Sequence, residues 1–246
     1  MLIVANWKAY VEDLAKGKKL VTASKSLARA GSTIVLAPPA PFLGALAIGN
    51  KSTVAFSAQD ISATTGGAKT GEVTAAACKA AGAAYAIIGH SERRAAGDTD
   101  AIIAEKLARA LTQGLTPILC VGESERDTQG QYLAVIREQI TLALTPLTAK
   151  ERGRIVIAYE PIWAIGKGAA QAIGPNDLAE MVLYIRKVVA ELLPGKSSRH
   201  ALVLYGGSVE ATNVRELAAS SGVDGFLIGH ASVETDTFTA LVKQLR

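Results

Sequence analysis

A carboxylate, an imidazole, an amide and a cation, the groups from which acid–base chemistry can be built, stand at the ends of short apolar runs: Glu160, His90, Asn6 and Lys8. Glu160 closes the run Arg154 to Tyr159 and is followed by Pro161-Ile162-Trp163-Ala164-Ile165-Gly166-Lys167-Gly168, a stretch too rich in Pro and Gly for a helix or a sheet interior. A carboxylate at a strand tip under a closing segment loses water and gains basicity, which suits a general base. His90 ends the run that starts at Ala84, and Ser91-Glu92-Arg93-Arg94 after it reads as a helical turn. The positive end of that turn disfavours the imidazolium, leaving His90 a neutral hydrogen-bond donor. Asn6 and Lys8 follow the run Leu2 to Ala5 and offer an amide and a cation. Singly, each has a plainer reading: a surface Glu or Lys, a satisfied strand-end His, Ser91 as a helix cap. Jointly, on one face, they offer a base, an imidazole, an amide donor and a cation, a set that describes acid–base chemistry.

Two glycine-rich stretches, Gly206-Gly207-Ser208 and Gly229-His230-Ala231-Ser232, follow the last two apolar runs. Each is expected to open a helix, where glycine admits a close anion and free N–H groups supply donors. With Lys8 and Gly166-Lys167-Gly168 opposite, the expected ligand is a small phosphate ester.

These groups need elements to hold them. Strand patterns at 2–5, 33–37, 53–58, 84–89, 117–121, 155–159, 202–204 and 226–228 alternate with helical patterns at 11–30, 42–48, 72–81, 98–113, 132–144, 176–193, 210–218 and 235–245. Asn176 or Asp177 is the expected cap of the long helix after the sixth strand. Strict alternation implies parallel strands, and eight units in 246 residues is the size at which such a sheet closes into a (β/α)₈ barrel with its site at the C-terminal strand ends. The near-continuous apolar strands suit burial on both faces. A doubly wound open sheet is the alternative, without a dinucleotide fingerprint after the first strand. Residues 1–246 read as one domain. Residues 61 to 71 carry no period and form a loop long enough to suggest a task.

Composition narrows the class. The chain is 49% hydrophobic and 20% charged, enough for a packed core. A net charge of +4 is spread along the sequence and fits a small anionic substrate, with no stripe for nucleic acid. No apolar run approaches the roughly 18 residues of a membrane span, and Met1-Leu2-Ile3-Val4 leads into a charged segment without a leader pattern; a cytoplasmic protein is expected. Cys78 and Cys120 suit neither a metal site nor a disulfide framework and are expected to be reduced and structural.

Asn6-Trp7-Lys8, Gly89-His90-Ser91-Glu92-Arg93-Arg94, Ala158-Tyr159-Glu160-Pro161-Ile162-Trp163-Ala164-Ile165-Gly166 and Tyr205-Gly206-Gly207-Ser208-Val209 resemble, in order and spacing over the whole chain, the motifs of the triosephosphate isomerases. The resemblance implies a glycolytic homodimer that interconverts dihydroxyacetone phosphate and glyceraldehyde 3-phosphate without metal or cofactor. It implies Glu160 as base, His90 and Asn6 on the substrate oxygens, Lys8 as charge and Glu92 as its partner. It places the phosphate on N–H groups of Gly166, Ser208, Gly229 and His230. The lid hinges would be Pro161 to Trp163 and Ala169 to Gln171, with Gly168 between them, Tyr205 as latch, and Thr70 reaching into a second subunit.

The chain departs from that family at His230, where a second glycine is usual, at Lys167, in the hinge Ala169-Ala170-Gln171, and after Arg94, where it is one residue short. Lys69 and Ala9 replace larger apolar groups at the expected interface. Two other readings stay open: an isomerase of a four-carbon sugar phosphate, suggested by His230, and an inactive anion-binding barrel, against which Glu160, His90 and Lys8 all speak.

Overall fold

A computed structural model describes residues 1–28, 32–168, 172–193 and 201–245. Among these, eight strands pair in parallel in the order of the chain and close on themselves: β1 Leu2–Asn6, β2 Thr33–Ala37, β3 Ala55–Ala58, β4 Tyr85–Ile88, β5 Thr116–Val121, β6 Val156–Tyr159, β7 Val203–Tyr205 and β8 Gly225–Ile228. Closure is the pairing of β1 with β8, Leu2 opposite Gly225. A Cβ on Gly225 would collide with the Leu2 carbonyl, so the seam needs a glycine there. The ring outside contains α1 Leu14–Ala28, α2 Ala40–Ala47, α3 Ala75–Ala80, α4 Ser91–Ala95, α5 Asp100–Thr112, α6 Gln131–Leu144, α7 Ala149–Arg152, α8 Pro175–Glu191, α9 Val214–Ser220 and α10 Thr235–Lys243. The expected (β/α)₈ barrel is therefore the fold.

The period of two along each strand divides the interior. One apolar cluster, including Val4, Val35, Ile87, Ile118, Cys120, Val156, Ala158, Leu204 and Leu227, is made of strand residues alone and fills the barrel. The alternate strand residues pack outward on helix stripes, such as Leu178, Met181, Val182, Ile185, Val188 and Val189 of α8. Each such side chain contributes about 1.5–3 kcal/mol by leaving water. Continuing the inward set two residues further along β1 and β6 reaches Asn6 and Glu160, and the same step along β7 and β8 reaches Gly206 and Gly229. Strand alternation thus aims these tips at the barrel axis.

Several boundaries differ from expectation. The long helix α8 starts on Pro175 with Gly174 as its cap, and no side chain caps it; Pro pre-sets the first turn, so neither Asn176 nor Asp177 is needed. Gly206 to Ser208 do not open a helix, because α9 begins only at Val214. The Pro/Gly-rich run after Glu160 holds a 3₁₀ turn at Ile162–Ala164 capped by Pro161. The four-residue α7 was not expected, although Thr148 and Glu151 make a complete capping box. Expected helix residues 29–30 lie outside the described residues.

Candidate active site

Glu160 leaves β6 with its N–H bonded to the Val121 carbonyl (2.8 Å) and its residue only 2% exposed. Two glycines make room for it. A Cβ on Gly122 would strike the Glu160 carbonyl, and one on Gly206 would come 2.7 Å from Glu160 Cγ. Burial pushes the carboxyl above the usual carboxylate range, against the opposing pull of His90, the Ser91 amide and Lys8. Its Oε1 lies 3.4 Å from His90 Nε2, and Oε2 accepts from the Ser91 N–H at 3.4 Å.

Facing it, His90 caps α4, and its Nδ1 accepts the Glu92 N–H at 3.1 Å. A ring nitrogen that accepts carries no proton, so this contact suits a neutral ring with Nε2 as donor, directed toward Glu160. Asn6 is buried, and its Oδ1 accepts the Lys8 N–H (3.1 Å); its NH₂ is left as a donor. Lys8 has φ +46, the only non-glycine residue with positive φ among the described residues. Gln59 donates to the Lys8 carbonyl at 2.9 Å and holds that turn in place. Lys8 Nζ bonds Glu92 Oε1 at 2.7 Å. Burial raises the Glu92 carboxyl, but the Lys8 hydrogen bond and charge outweigh it and leave the group below its usual range.

One cavity of about 620 Å³ is lined by Asn6, Lys8, His90 and Glu160 together with Gly166, Lys167, Gly168, Ser208, Gly229 and His230. That volume lies within the range of small-molecule sites. A Cβ on Gly229 would meet Lys8 Cε at 3.4 Å, an ordinary contact distance, so the stem that carries the ammonium stands just beyond the space this glycine leaves open. Glu92 stands outside this cavity, and Pro161, Trp163 and Tyr205 do not line it. Trp163 instead donates from Nε1 to Glu123 Oε1 (2.8 Å), which also accepts from the Tyr159 hydroxyl (2.8 Å). Ser208 Oγ donates to the carbonyls of Ala164 (2.8 Å) and Lys167 (2.6 Å). The Tyr205 hydroxyl is buried, and burial pushes it up to about 12 against the opposing pull of the Ile173 and Ser208 backbone N–H groups. The second hinge, 169–171, lies outside the described residues. Thr70 is exposed at the tip of its loop, beside a second cavity of about 680 Å³ lined by Asp60, Lys69, Cys78, Arg93, Asp98 and Lys106 among others.

Sequence reasoning missed three neighbours. Cys120, expected to be structural, belongs to the inward set and lies against Glu160; burial first, then that carboxylate, pushes its thiol well above the usual range. Its place in the alternation was the available signal. Glu123 stands two residues past the end of β5, a tip position, and Arg126, over the rings of Tyr132 and Trp163, gives no local signal. Both cysteines are free and buried. Among the described residues, no group of three or more His, Cys, Asp or Glu could hold a metal ion, and no helix is long and apolar enough to cross a membrane.

Shifting a proton between neighbouring carbons requires a base shielded from water and donors facing the oxygen that becomes negative. This rim and fold define a barrel aldose–ketose isomerase. The profile of triosephosphate isomerase matches residues 1–245. Among relatives, the triosephosphate isomerase of Cupriavidus pinatubonensis is 40% identical over 98% of this chain and 97% of its own. That of Carboxydothermus hydrogenoformans is 38% identical with the same coverage, and that of Mycobacterium avium 37% over 98% and 94%. The chain belongs to the triosephosphate isomerase family.

Proposed function

We propose that the protein interconverts dihydroxyacetone phosphate and D-glyceraldehyde 3-phosphate through an enediolate, with Glu160 as the base. The observation that carries this reading is the buried Glu160 carboxyl 3.4 Å from His90 Nε2, in one cavity with Lys8 and Asn6. Glu160 takes the proton from the carbon beside the carbonyl and returns it to the next carbon. As charge moves onto the oxygens, His90 Nε2–H and the Asn6 amide donate to them and Lys8 supplies positive potential. Glu92 is a positioning residue that holds Lys8 through its carboxylate.

The phosphate rests on N–H groups of Gly166, Ser208, Gly229 and His230, where the absent side chains of the glycines let it approach. The segment from Pro161 through Gly168 closes over the substrate, turning near Trp163 and latched by Tyr205, and keeps water from the enediolate. The protein acts in the cytoplasm as a homodimer of one-domain barrels: Thr70 enters a second copy, and the 680 Å³ cavity beside its loop is the space that supports this.

The test is turnover of D-glyceraldehyde 3-phosphate in a coupled assay for dihydroxyacetone phosphate. Turnover abolished by Glu160→Ala supports the assignment; a folded wild-type protein with no turnover, or an active Glu160→Ala, overturns it.

A further inference from the structure

The cavity wall at the proposed phosphate end carries two aromatic side chains that the reaction above leaves without a task. Tyr10 follows Lys8 on the loop after β1, and His230 follows Gly229 after β8; both line the 620 Å³ cavity. Their rings meet edge to face, centroids 5.4 Å apart and planes at 71°. Because β1 and β8 are neighbours across the seam, the two loops stand side by side. The helices they lead into are also joined, where Lys16 Nζ in the first turn of α1 meets Glu234 Oε1 at the start of α10 at 2.5 Å.

The turn His230–Ser232 is fastened from one other direction. Ser232 Oγ bonds the Gly229 and Ile228 carbonyls at 2.7 and 3.1 Å. That contact does not reach the imidazole. Tyr10 can hold it: the Tyr10 N–H bonds the Trp7 carbonyl at 3.1 Å and Trp7 is fully buried, so the backbone that carries the half-exposed phenol is fixed. The imidazole of a residue whose own N–H is one of the anion's proposed donors can clear the cavity or sweep across it.

We propose that Tyr10 is a positioning residue for the phosphate end: its ring braces the His230 imidazole against the wall, keeping the neighbouring backbone N–H groups open to the anion. The proposal rests on the isomerase reading for its substrate, but its physical content is how an anion is admitted. Edge-to-face pairs of this kind correspond to about two- to tenfold in an equilibrium constant.

The test compares wild type, Tyr10→Ala, Tyr10→Phe, His230→Gly and the double variant Tyr10→Ala/His230→Gly. Calorimetry gives the Kd of inorganic phosphate, and the coupled assay gives KM and kcat. Tyr10→Ala is expected to raise Kd and KM about two- to tenfold, with kcat within about a factor of two of wild type. Tyr10→Phe, which keeps the ring, should retain the wild-type values. The double variant should match His230→Gly, since without an imidazole there is nothing to brace. An effect of Tyr10→Ala that is equal with and without His230, or none in the presence of His230, overturns the proposal. Phosphate affinity needs no turnover, so the brace stands or falls separately from the reaction.

Discussion

In the proposed reaction, Glu160 is the residue on which both chemistry and stability turn. Glu160→Asp retracts the carboxylate by one methylene, which should lower kcat about 10²- to 10³-fold with a modest change in KM; a variant keeping more than about a third of wild-type kcat would remove Glu160 from the mechanism. The raised carboxyl makes a second, independent statement. A group that binds its proton more tightly in the folded state stabilises the fold at low pH and loses that contribution as pH rises through its folded value. Glu160→Gln has no such proton. The stability of wild type minus that of Glu160→Gln should therefore be largest in acid and shrink as pH rises above the ordinary carboxylate range. Thermal melts of both proteins across pH measure it, and a flat difference would mean the carboxyl is not stressed by its burial.

At the scale of elements, the strand tips were legible because alternation along a buried strand is a local property: Leu2 and Val4 announce Asn6, and Val156 and Ala158 announce Glu160. What surrounds the tips was not. Gly206 and Gly207 read as a helix start, yet the first yields space to Glu160 and the second would strike the Tyr205 hydroxyl if it had a side chain; both are requirements of distant packing. The box at Thr148 and Glu151 was readable, but four residues cannot show a helical period. That short helix ends on Arg152, whose guanidinium donates to the carbonyls of Leu144 (2.9 Å), Thr145 (2.9 Å) and Leu192 (2.6 Å). It thereby ties the ends of α6 and α8 together at the opposite end of the barrel from Glu160. Arg152→Ala should cost about 1–3 kcal/mol in denaturant unfolding and leave kcat and KM unchanged. A loss of activity without a loss of stability would show that this end of the barrel is coupled to the site.

For the whole molecule, the consequence lies in assembly. The loop after β3 is held at its base by the Ser62 hydroxyl and the Glu72 carboxylate, while Lys69 and Thr70 at its tip are exposed. Lys69 and Ala9 offer less apolar surface than the groups usual in the resemblance, about 1 to 3 kcal/mol of burial at each position. The expected outcome is a homodimer that dissociates more readily than is usual for the family. Sedimentation at graded concentrations checks this; a fully active monomer at high micromolar concentration would contradict it. The charges beside the loop, Lys106 between Asp60 (2.8 Å) and Asp98 (2.6 Å), satisfy one another within the chain and do not need a second copy.

Lys8 is held at φ +46, a conformation that costs a side-chain-bearing residue about 1–2 kcal/mol and that glycine or asparagine adopts more easily. Selection for folding alone would therefore replace this lysine, and the role proposed for its ammonium is what would keep it. In a descendant freed from catalysis, position 8 should be among the first to drift, toward Asn or Gly, while Trp7 beside it stays under the constraint of the core. Random mutagenesis screened for stability without regard to turnover should reproduce that drift: Lys8→Asn should emerge as a folded, more heat-resistant and inactive variant, and its failure to gain stability would show that the turn carries no strain.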